Sequence, residues 1–213
     1  MLDRTFSTEQ IQKNFSKVAW FYDFWGKLTE SKSITEAISI SGISDDQTVL
    51  DIGVGTGQIF ERILKVNRNG FNFAIDLSPK MIAKAKEKLN PIPGMHLLAI
   101  ADAFNLPYKN QSFDYVFSSY VLDLLPENCF VDIIGEFKRV LKEKGIGIVI
   151  TMSMGQKWYN KIWFLAAKYF PSLLTNCRPV ELSSYLVSSG FNVMRREAIS
   201  QNTFPSEIIK FRK

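Results

Sequence analysis

The chain has 213 residues, of which 46% are hydrophobic, and this is enough for one substantial core in a single domain over residues 1–213. Its net charge of +5 comes from lysines and arginines spread over the chain, which argues against a nucleic-acid-binding patch. Two cysteines, no apolar signal segment and no run near ~18 apolar residues predict a soluble, cytoplasmic protein.

The first 45 residues carry no strand signal. An aromatic-rich helical stretch, which includes Phe15, Tyr22 and Trp25, precedes a second helix that we expect to begin at a capping box from Ser33 to Glu36. We expect this N-terminal helical cap, residues 1–45, to fold over the mouth of a ligand site.

From about Thr48 onward, strand-like and helix-like segments alternate, which predicts a parallel sheet covered by helices on both faces. A tail helix over Val180–Ser189 precedes two strands joined by only a short turn. These two strands should therefore pair as an antiparallel hairpin at the sheet edge, since a parallel pair needs a longer crossover. The predicted strands are 48–52, 72–76, 96–100, 113–118, 145–151, 191–198 and 206–211.

Residues 49–57 form a β-branched run that breaks into three alternating glycines and then into an amphipathic stretch. This pattern predicts a strand, a tight loop that brings bare backbone against a ligand, and a helix. Asp51, Asp76 and Asp102 each stand at the end of a predicted strand, where open α/β sheets bind ligands. Three carboxylates would repel a phosphate, so we expect a cationic, amine-rich ligand. The glycines are Gly53, Gly55 and Gly57.

A dinucleotide-binding loop is the alternative interpretation of the same residues. Asp76 lies about 20 residues beyond the loop, where dinucleotide enzymes carry an acid that binds ribose. The glycine spacing does not fit, because Gln58 occupies the position at which a G-x-G-x-x-G loop needs its last glycine. A nicotinamide oxidoreductase therefore ranks behind an enzyme with a cationic cofactor.

Four segments together resemble a known family: Asp51–Gly57, Ala74–Pro79, Ala101–Ala103 and Ser112–Phe117. The chain resembles class I S-adenosylmethionine-dependent methyltransferases, of the small-molecule type related to ubiquinone/menaquinone-biosynthesis and phospholipid N-methyltransferases. The resemblance implies a Rossmann-like α/β fold: a seven-stranded, mostly parallel sheet with an antiparallel last strand and helices on both faces. It also implies S-adenosyl-L-methionine as cofactor, S-adenosyl-L-homocysteine as product, and a cofactor-binding core over residues 46–151.

The resemblance assigns the nucleoside part of the cofactor to two of the strand-end acids and their neighbours. Asp76 would accept hydrogen bonds from both ribose hydroxyls, with Leu77 and Met81 near the adenine. Asp102 would accept a hydrogen bond from the adenine amine, while the backbone N–H of Ala103 meets a ring nitrogen.

By the same resemblance, Asp51 and the backbone of Gly53 and Gly55 would hold the methionyl part, with Gly57 completing the loop. Purely structural alternatives stay open. Asp51 could order the loop by accepting backbone hydrogen bonds. Asp76 could have no role beyond forming a turn, and Asp102 could be an ordinary loop acid. The remaining candidates, which would line or close the methionine channel or contact the adenine, have packing alternatives: Ser118, Ser119, Tyr22 and Met81.

The reaction that the resemblance implies is a direct displacement, for which the protein mainly aligns two reactants and excludes water. No metal is expected, because the chain has one histidine and its two cysteines show no ligand spacing. That histidine, His96, is expected to pack in a strand rather than to act as a base. Of Tyr120, Asp123 and Cys177, which lie near the expected mouth, Tyr120 is the candidate catalytic residue.

Residues 152–178 form an insertion that we expect to be the lid of the acceptor site, before the tail helix and edge hairpin of residues 179–213. Within it, apolar residues recur at helical spacing among lysines. One interpretation is a lid for a small lipid- or quinone-like acceptor, with transient contact to a membrane surface. The other is a helix packed as ordinary core. The recurring residues are Trp158, Ile162, Leu165 and Tyr169.

We therefore predict an S-adenosylmethionine-dependent methyltransferase that acts on a small, apolar acceptor through an N-, C- or O-nucleophile. A protein or nucleic-acid methyltransferase is one alternative, against which the fourth strand is followed by Ser118–Val121 and not by an Asn/Asp-Pro-Pro-Tyr-like motif. A non-catalytic cofactor-binding partner protein is the other.

Overall fold

The computed structural model describes residue 26 and residues 28–169 and 177–213, in which seven strands form a single sheet. Across the sheet the order is β3-β2-β1-β4-β5-β7-β6. Strands β1 to β5 pair in parallel, and β7 runs antiparallel to both of its neighbours. The strands are β1 (Thr48–Ile52), β2 (Phe71–Asp76), β3 (His96–Ile100), β4 (Phe113–Ser119), β5 (Leu141–Met152), β6 (Asn192–Gln201) and β7 (Phe204–Arg212).

The predicted Rossmann-like sheet, mostly parallel with an antiparallel last strand, is confirmed. The hairpin of β6 and β7 also forms as predicted, with β7 inserted between β5 and β6, so that β6 is the edge strand. Strand β5 starts earlier than predicted. Leu141 already pairs with Phe113, and residues 142–145 continue the strand with a shift in its register against β4.

Helices flank the sheet at the predicted places, with two corrections. The predicted capping box at Ser33 is wrong. The helix that it was expected to start begins at Ser31, and the Ser33 hydroxyl donates to the backbone oxygen of Glu30 inside the helical turn (2.7 Å). The tail helix is shorter than predicted and begins at Ser183. The helices are α1 (Ser31–Ser41), α2 (Gln58–Val66), α3 (Pro79–Leu89), α4 (Phe130–Val140), α5 (Lys161–Tyr169) and α6 (Ser183–Ser188).

The central strands β1 and β4 are buried on both faces, which explains why they read as nearly continuous apolar runs, whereas the edge strands β3 and β6 are largely exposed. Successive residues of β1 alternate between two cores: Val49 packs with helices α1 and α2, and Leu50 packs with α4. This sandwich fixes the strand ends, where the candidate site lies. Within the described ranges, none of these helices has the length and apolar character needed to cross a membrane.

Candidate functional site

A cleft opens beyond the carboxyl ends of β1 to β4, where β1 has β2 on one side and β4 on the other. Open α/β sheets bind ligands at this kind of switch point. The cleft has about 860 Å³ of empty space, counting the part open to solvent, which suits a small molecule since such sites span about 300–1,000 Å³. Nine predicted site residues line it: Gly53, Gly55, Asp76, Leu77, Met81, Asp102, Ala103, Ser119 and Tyr120.

Four predicted residues are not among those that line the cleft. Tyr22 lies outside the described residues. Asp51 and Ser118 are buried in strands β1 and β4, behind the cleft wall. Gly57 has a φ of 83°, and a Cβ at this position would lie 3.1 Å from Leu89 Cδ1, so its observed role is the close packing of α2 against α3.

The backbone amides of the glycine loop already have acceptors within the protein. The N–H groups of Gly53 and Val54 both donate to the carbonyl oxygen of Ile75 (2.9 Å each), and the N–H of Gly55 donates to Asp76 Oδ2 (2.9 Å). A phosphate cradle works by turning free N–H groups toward the ligand. These three amides cannot serve in that way, so the loop does not suit a pyrophosphate.

The first two glycines of the loop differ in what surrounds them. A Cβ at Gly53 would lie 2.2 Å from Val121 Cγ2, so a bare backbone is needed there for packing against the segment after β4. A Cβ at Gly55 would meet no atom within 4 Å. Because Gly55 lines the cleft, the open space beside it is where a ligand can approach the loop.

Asp51 is completely buried, and neither of its carboxylate oxygens has a hydrogen-bond partner among the described residues. Burial, and secondarily the charge of Asp76, raises the pKa of Asp51 to about 8. The alternative that Asp51 orders the loop by accepting backbone hydrogen bonds is wrong, because it accepts none. An unpartnered buried carboxyl is costly, and a cationic ligand group would supply the missing partner.

Asp76 and Asp102 each form a turn and also line the cleft. Asp76 Oδ1 accepts from the N–H of Ser78 (2.8 Å), and Asp102 Oδ1 accepts from the N–H of Phe104 (3.0 Å). Burial raises the pKa of Asp76, although backbone hydrogen bonds from Ser78 and Gly55 act in the opposite direction. Each carboxylate oxygen keeps a lone pair for a ligand, so the turn-forming role and the predicted ligand role are compatible.

Comparison with known proteins identifies the family. Residues 49–145 match a family described as "Methyltransferase domain". The chain is 30% identical over 158 residues to malonyl-[acyl-carrier protein] O-methyltransferase of Marinomonas sp. (strain MWYL1), which covers 73% of this chain and 56% of that protein. It is 28% identical over 215 residues to the ubiquinone/menaquinone biosynthesis C-methyltransferase UbiE of Campylobacter jejuni (strain RM1221), covering 95% and 83%. Residues 49–145 therefore match a methyltransferase domain, and the chain is similar to methyltransferases over most of its length.

The chain spans only about half the length of the first curated relatives it matches, 56% and 41% of the two malonyl-[acyl-carrier protein] O-methyltransferases. Among solved structures, a SAM dependent methyltransferase from Aquifex aeolicus superposes with a TM-score of 0.66 at 19% identity, covering 98% of this chain and 99% of that one. The [4+2]-cyclase SpnF superposes with a TM-score of 0.68 at 18% identity, covering 86% and 80%. These likenesses show the fold, which by itself does not fix a reaction.

Tyr120 lines the cleft, but its hydroxyl is hydrogen-bonded inside the protein. The hydroxyl lies 2.7 Å from both Ser33 Oγ and Ser206 Oγ. Because Ser33 donates to the backbone oxygen of Glu30, its Oγ accepts from Tyr120, which leaves Ser206 as the donor to Tyr120. Burial raises the pKa of Tyr120 well above its ordinary value, so it does not accept a proton at neutral pH. Its catalytic role stays a prediction.

Sequence reasoning missed a buried carboxyl beside Tyr120, that of Glu30, and set aside another, that of Asp123. Burial, followed by the charge of Asp123, raises the pKa of Glu30 to about 8. Burial raises the pKa of Asp123 to about 7, against a hydrogen bond from the N–H of Met152 to its Oδ2 (2.9 Å). Asp123 Oδ1 has no hydrogen-bond partner in the part of the chain that the structure describes. No local pattern marks Glu30, since only the packing of α1 against β5 to β7 buries it.

Other cleft residues were missed because they are apolar neighbours of the strand ends, for which proximity to the predicted acids is the only sequence signal. The additional lining residues are Ile52, Ile75, Ser78, Ala101, Phe104, Val121, Leu124 and Leu125.

His96 agrees with the packed-strand interpretation: its ring stands edge-on to Phe60 at 6.4 Å, and its Nδ1 lies 3.0 Å from the carbonyl oxygen of Gly94.

The predicted apolar stripe of the insertion lies on the outside of the protein. Trp158, Ile162, Leu165 and Tyr169 are 83%, 64%, 49% and 64% exposed, so the alternative of an ordinary core helix is wrong for these four. The opposite side of α5 packs inward through Trp163, whose Nε1 donates to Thr203 Oγ1 (3.0 Å).

Proposed function

We propose that this methyltransferase transfers a methyl group from S-adenosylmethionine to a small, apolar acceptor that enters the cleft. The observation that supports the proposal most is the buried, unpartnered carboxyl of Asp51 beside a loop whose amides are occupied. A ligand with an ammonium, a sulfonium and one carboxylate but no phosphate matches this arrangement, since it offers cations to carboxyl groups and needs no phosphate cradle.

The chain's residues fit the parts of that cofactor. In the proposal, Asp51 and the loop of Gly53, Gly55 and Gly57 hold the methionyl part, and Asp76 accepts from the ribose hydroxyls. When bound, S-adenosylmethionine supplies an activated methyl group. The chain holds the acceptor in line with it and keeps water out, which is the main protein contribution to such a transfer. The adenine and the methionine channel are assigned to Leu77, Met81, Asp102, Ala103, Ser118, Ser119 and Tyr22.

The proposed acceptor is apolar and lipid- or quinone-like. Support comes from the path between the lid and the cleft: the ring of Trp163 on α5 contacts Phe204 (5.3 Å), and Phe204 contacts Tyr120 of the cleft wall (6.3 Å). An apolar lid joined to the wall by aromatic contacts favours an apolar acceptor. Tyr120 is proposed as the residue nearest this acceptor, and the lid as making transient contact with a membrane surface. The cysteine count of two, which is too few for a disulfide framework, supports a cytoplasmic location.

Calorimetry with purified protein tests the cofactor. We expect heat of binding with S-adenosylmethionine and S-adenosylhomocysteine and none with NAD or ATP. Binding of a phosphate-bearing coenzyme in their place would overturn the proposal.

Turnover tests the transfer. Labelled cofactor is incubated with quinone precursors, ethanolamine lipids and small amines, and products are read by mass shift. One acceptor that gains a methyl group is the expected result. Cofactor binding without transfer to any acceptor would favour the non-catalytic partner protein.

A further inference from the structure

The insertion has an unusual charge pattern. Residues 153–180 contain no aspartate or glutamate, so all 21 acidic residues of the chain lie elsewhere. The same stretch contains four basic residues, Lys157, Lys161, Lys168 and Arg178. Arg178 is paired with Glu127 (3.2 Å), so the three lysines are the charges with which this segment attracts anions, and the segment has no acid of its own to oppose them.

The exposed stripe of the insertion forms one continuous helical face. Trp158, Ile162, Leu165 and Tyr169 follow one another at intervals of four, three and four residues, which places them on the same side of α5 and of the 3₁₀ turn before it. We call these four residues the α5 face. All four side chains are at least 49% exposed. Large apolar side chains grouped in this way mark an interaction surface, whereas scattered ones do not.

Lysines border the α5 face next to aromatic rings. Lys157 Nζ lies 5.7 Å from the centre of the Tyr159 ring, and Lys168 Nζ lies 5.3 Å from the centre of the Tyr169 ring. Tryptophan and tyrosine with neighbouring lysines are typical of segments that lie in the headgroup region of a bilayer. The apolar side chains enter the acyl boundary, and the ammonium groups stay with the phosphates.

Two exposed valines elsewhere lack such neighbours. Val131 and Val187 are 59% and 58% exposed, but they lie singly on α4 and α6. Val131 is also followed directly by Asp132. Their exposure is comparable to that of the α5 face while their surroundings differ, so they supply a matched control.

We propose that the α5 face docks on an anionic lipid bilayer. The docking specifies the membrane contact proposed above, and only its role, delivery of an apolar acceptor to the cleft, rests on the proposed methyl transfer. The inner side of α5 contacts Phe204 through Trp163, and Phe204 contacts the cleft residue Tyr120. The docking face and the cleft wall are thus joined through a single helix, and a membrane-held acceptor would have a short path between them.

Co-sedimentation with lipid vesicles tests the docking. The full chain should bind mixed phosphatidylcholine/phosphatidylglycerol vesicles, bind pure phosphatidylcholine vesicles weakly, and dissociate as salt is raised. Replacing Ile162 and Leu165 by serine should lower the partition coefficient about tenfold or more, because two large apolar side chains no longer enter the bilayer. The matched control V131S/V187S should bind like the unaltered chain.

Charge reversal separates the electrostatic part of the docking. K157E/K168E should lower binding to the anionic vesicles about tenfold or more, whereas K109E/K144E, which changes the net charge equally at exposed sites outside the insertion, should lower it much less. The single variant W158S replaces I162S/L165S as the test if the double variant does not fold, as judged by its heat of binding to S-adenosylhomocysteine.

Several results would overturn the docking proposal. Absence of binding to anionic vesicles is one, and equal loss in V131S/V187S is another. Self-association that is seen by light scattering and abolished by I162S/L165S would assign the α5 face to a second copy of the chain, and binding to RNA in place of vesicles would assign it to nucleic acid. Vesicle binding without any heat from S-adenosylhomocysteine would instead overturn the proposed function and leave the docking in place.

Discussion

The cleft and the α5 face are opposites in charge, burial and hydrogen bonding. The cleft edge carries Asp51, Asp76 and Asp102, and the loop beside it has its amides satisfied internally. The α5 face is exposed and lies in a stretch without any acid. One region is therefore arranged for a small cation and the other for an extended anionic surface, within a chain whose overall charge is only mildly positive.

This difference shows why net charge is a poor guide to ligands in this protein. The +5 total hides an acidic interior rim and a basic exterior segment, and each region is informative only by itself. Three substitutions and one change of pH test this difference at the cleft, where we expect the largest effects.

Asp51→Asn should have the largest effect. It removes a carboxyl that is fully buried next to the cleft and has no hydrogen-bond partner among the described residues, and loss of a buried charge partner weakens binding of a charged ligand about a hundredfold. Calorimetry with S-adenosylmethionine measures the change. The control D132N removes an exposed acid on α4 and should bind normally. Unchanged affinity in D51N would mean that the cleft does not recognise a cation through this residue.

Gly55→Ala should reduce cofactor affinity about tenfold while the protein still folds. The new methyl group meets no protein atom within 4 Å but occupies the open cleft, and the positive φ of 53° costs roughly 1–2 kcal/mol. Gly53→Ala is the contrasting variant, because its methyl group collides with Val121 and should lower the melting temperature more. The idea fails if G55A binds the cofactor as well as the unaltered chain.

The free energy of unfolding should fall as pH rises from about 5 to about 9. The pKa of Glu30 and of Asp51 is raised to about 8, and that of Asp123 to about 7. A carboxyl whose pKa is higher in the folded state stabilises the fold fully below its unfolded pKa, and this contribution is lost as pH rises through the folded pKa. Urea unfolding at both ends of the range measures the decrease.

Two comparisons sharpen the pH result. Glu30→Gln and Asp123→Asn should each flatten the pH dependence, since an amide does not ionise. A saturating concentration of cofactor should remove only the part of the pH dependence that is due to Asp51, because a bound ammonium stabilises the charged form of this residue. A stability that is flat with pH would show that these groups are solvated in solution.

Tyr120→Phe should have the smallest effect. It removes hydrogen bonds to Ser33 and Ser206, for which about 1–3 kcal/mol of stability is expected because the partners are left buried. Ser206→Ala is the control, since it removes one hydrogen bond of the same network and leaves the Tyr120 hydroxyl in place. If Y120F abolishes methyl transfer while S206A does not, the tyrosine hydroxyl is catalytic as the sequence analysis suggested.

The strands and the cleft were largely accessible from the sequence because they depend on local patterns. Buried strands such as β1 read as apolar runs, and strand-end acids such as Asp51 and Asp76 are recognisable once the strands are placed. The start of β5 could not be predicted from the sequence, because the pairing of Leu141 with Phe113 is a contact between residues that are distant in the chain. The start of α1 was also misread, since a serine hydroxyl can cap a helix or bond to the preceding turn, as that of Ser33 does.

The polar network behind the cleft could not be predicted for a related reason. Glu30 and Ser33 lie at the start of α1, Tyr120 follows β4 and Ser206 lies in β7, and only the assembled fold brings the last three within hydrogen-bonding distance. In contrast, the exposed stripe of α5 has a clear periodicity, but periodicity does not tell whether an apolar face meets the core or the solvent.

The occupied amides of the glycine loop have a consequence inside a living cell. Nucleoside triphosphates and dinucleotide coenzymes are abundant there and carry an adenosine much like that of the cofactor. A site that offered free amides would be competed for continually by these molecules. Since Gly53, Val54 and Gly55 have no donor to spare, we expect turnover to be insensitive to the energy state of the cell.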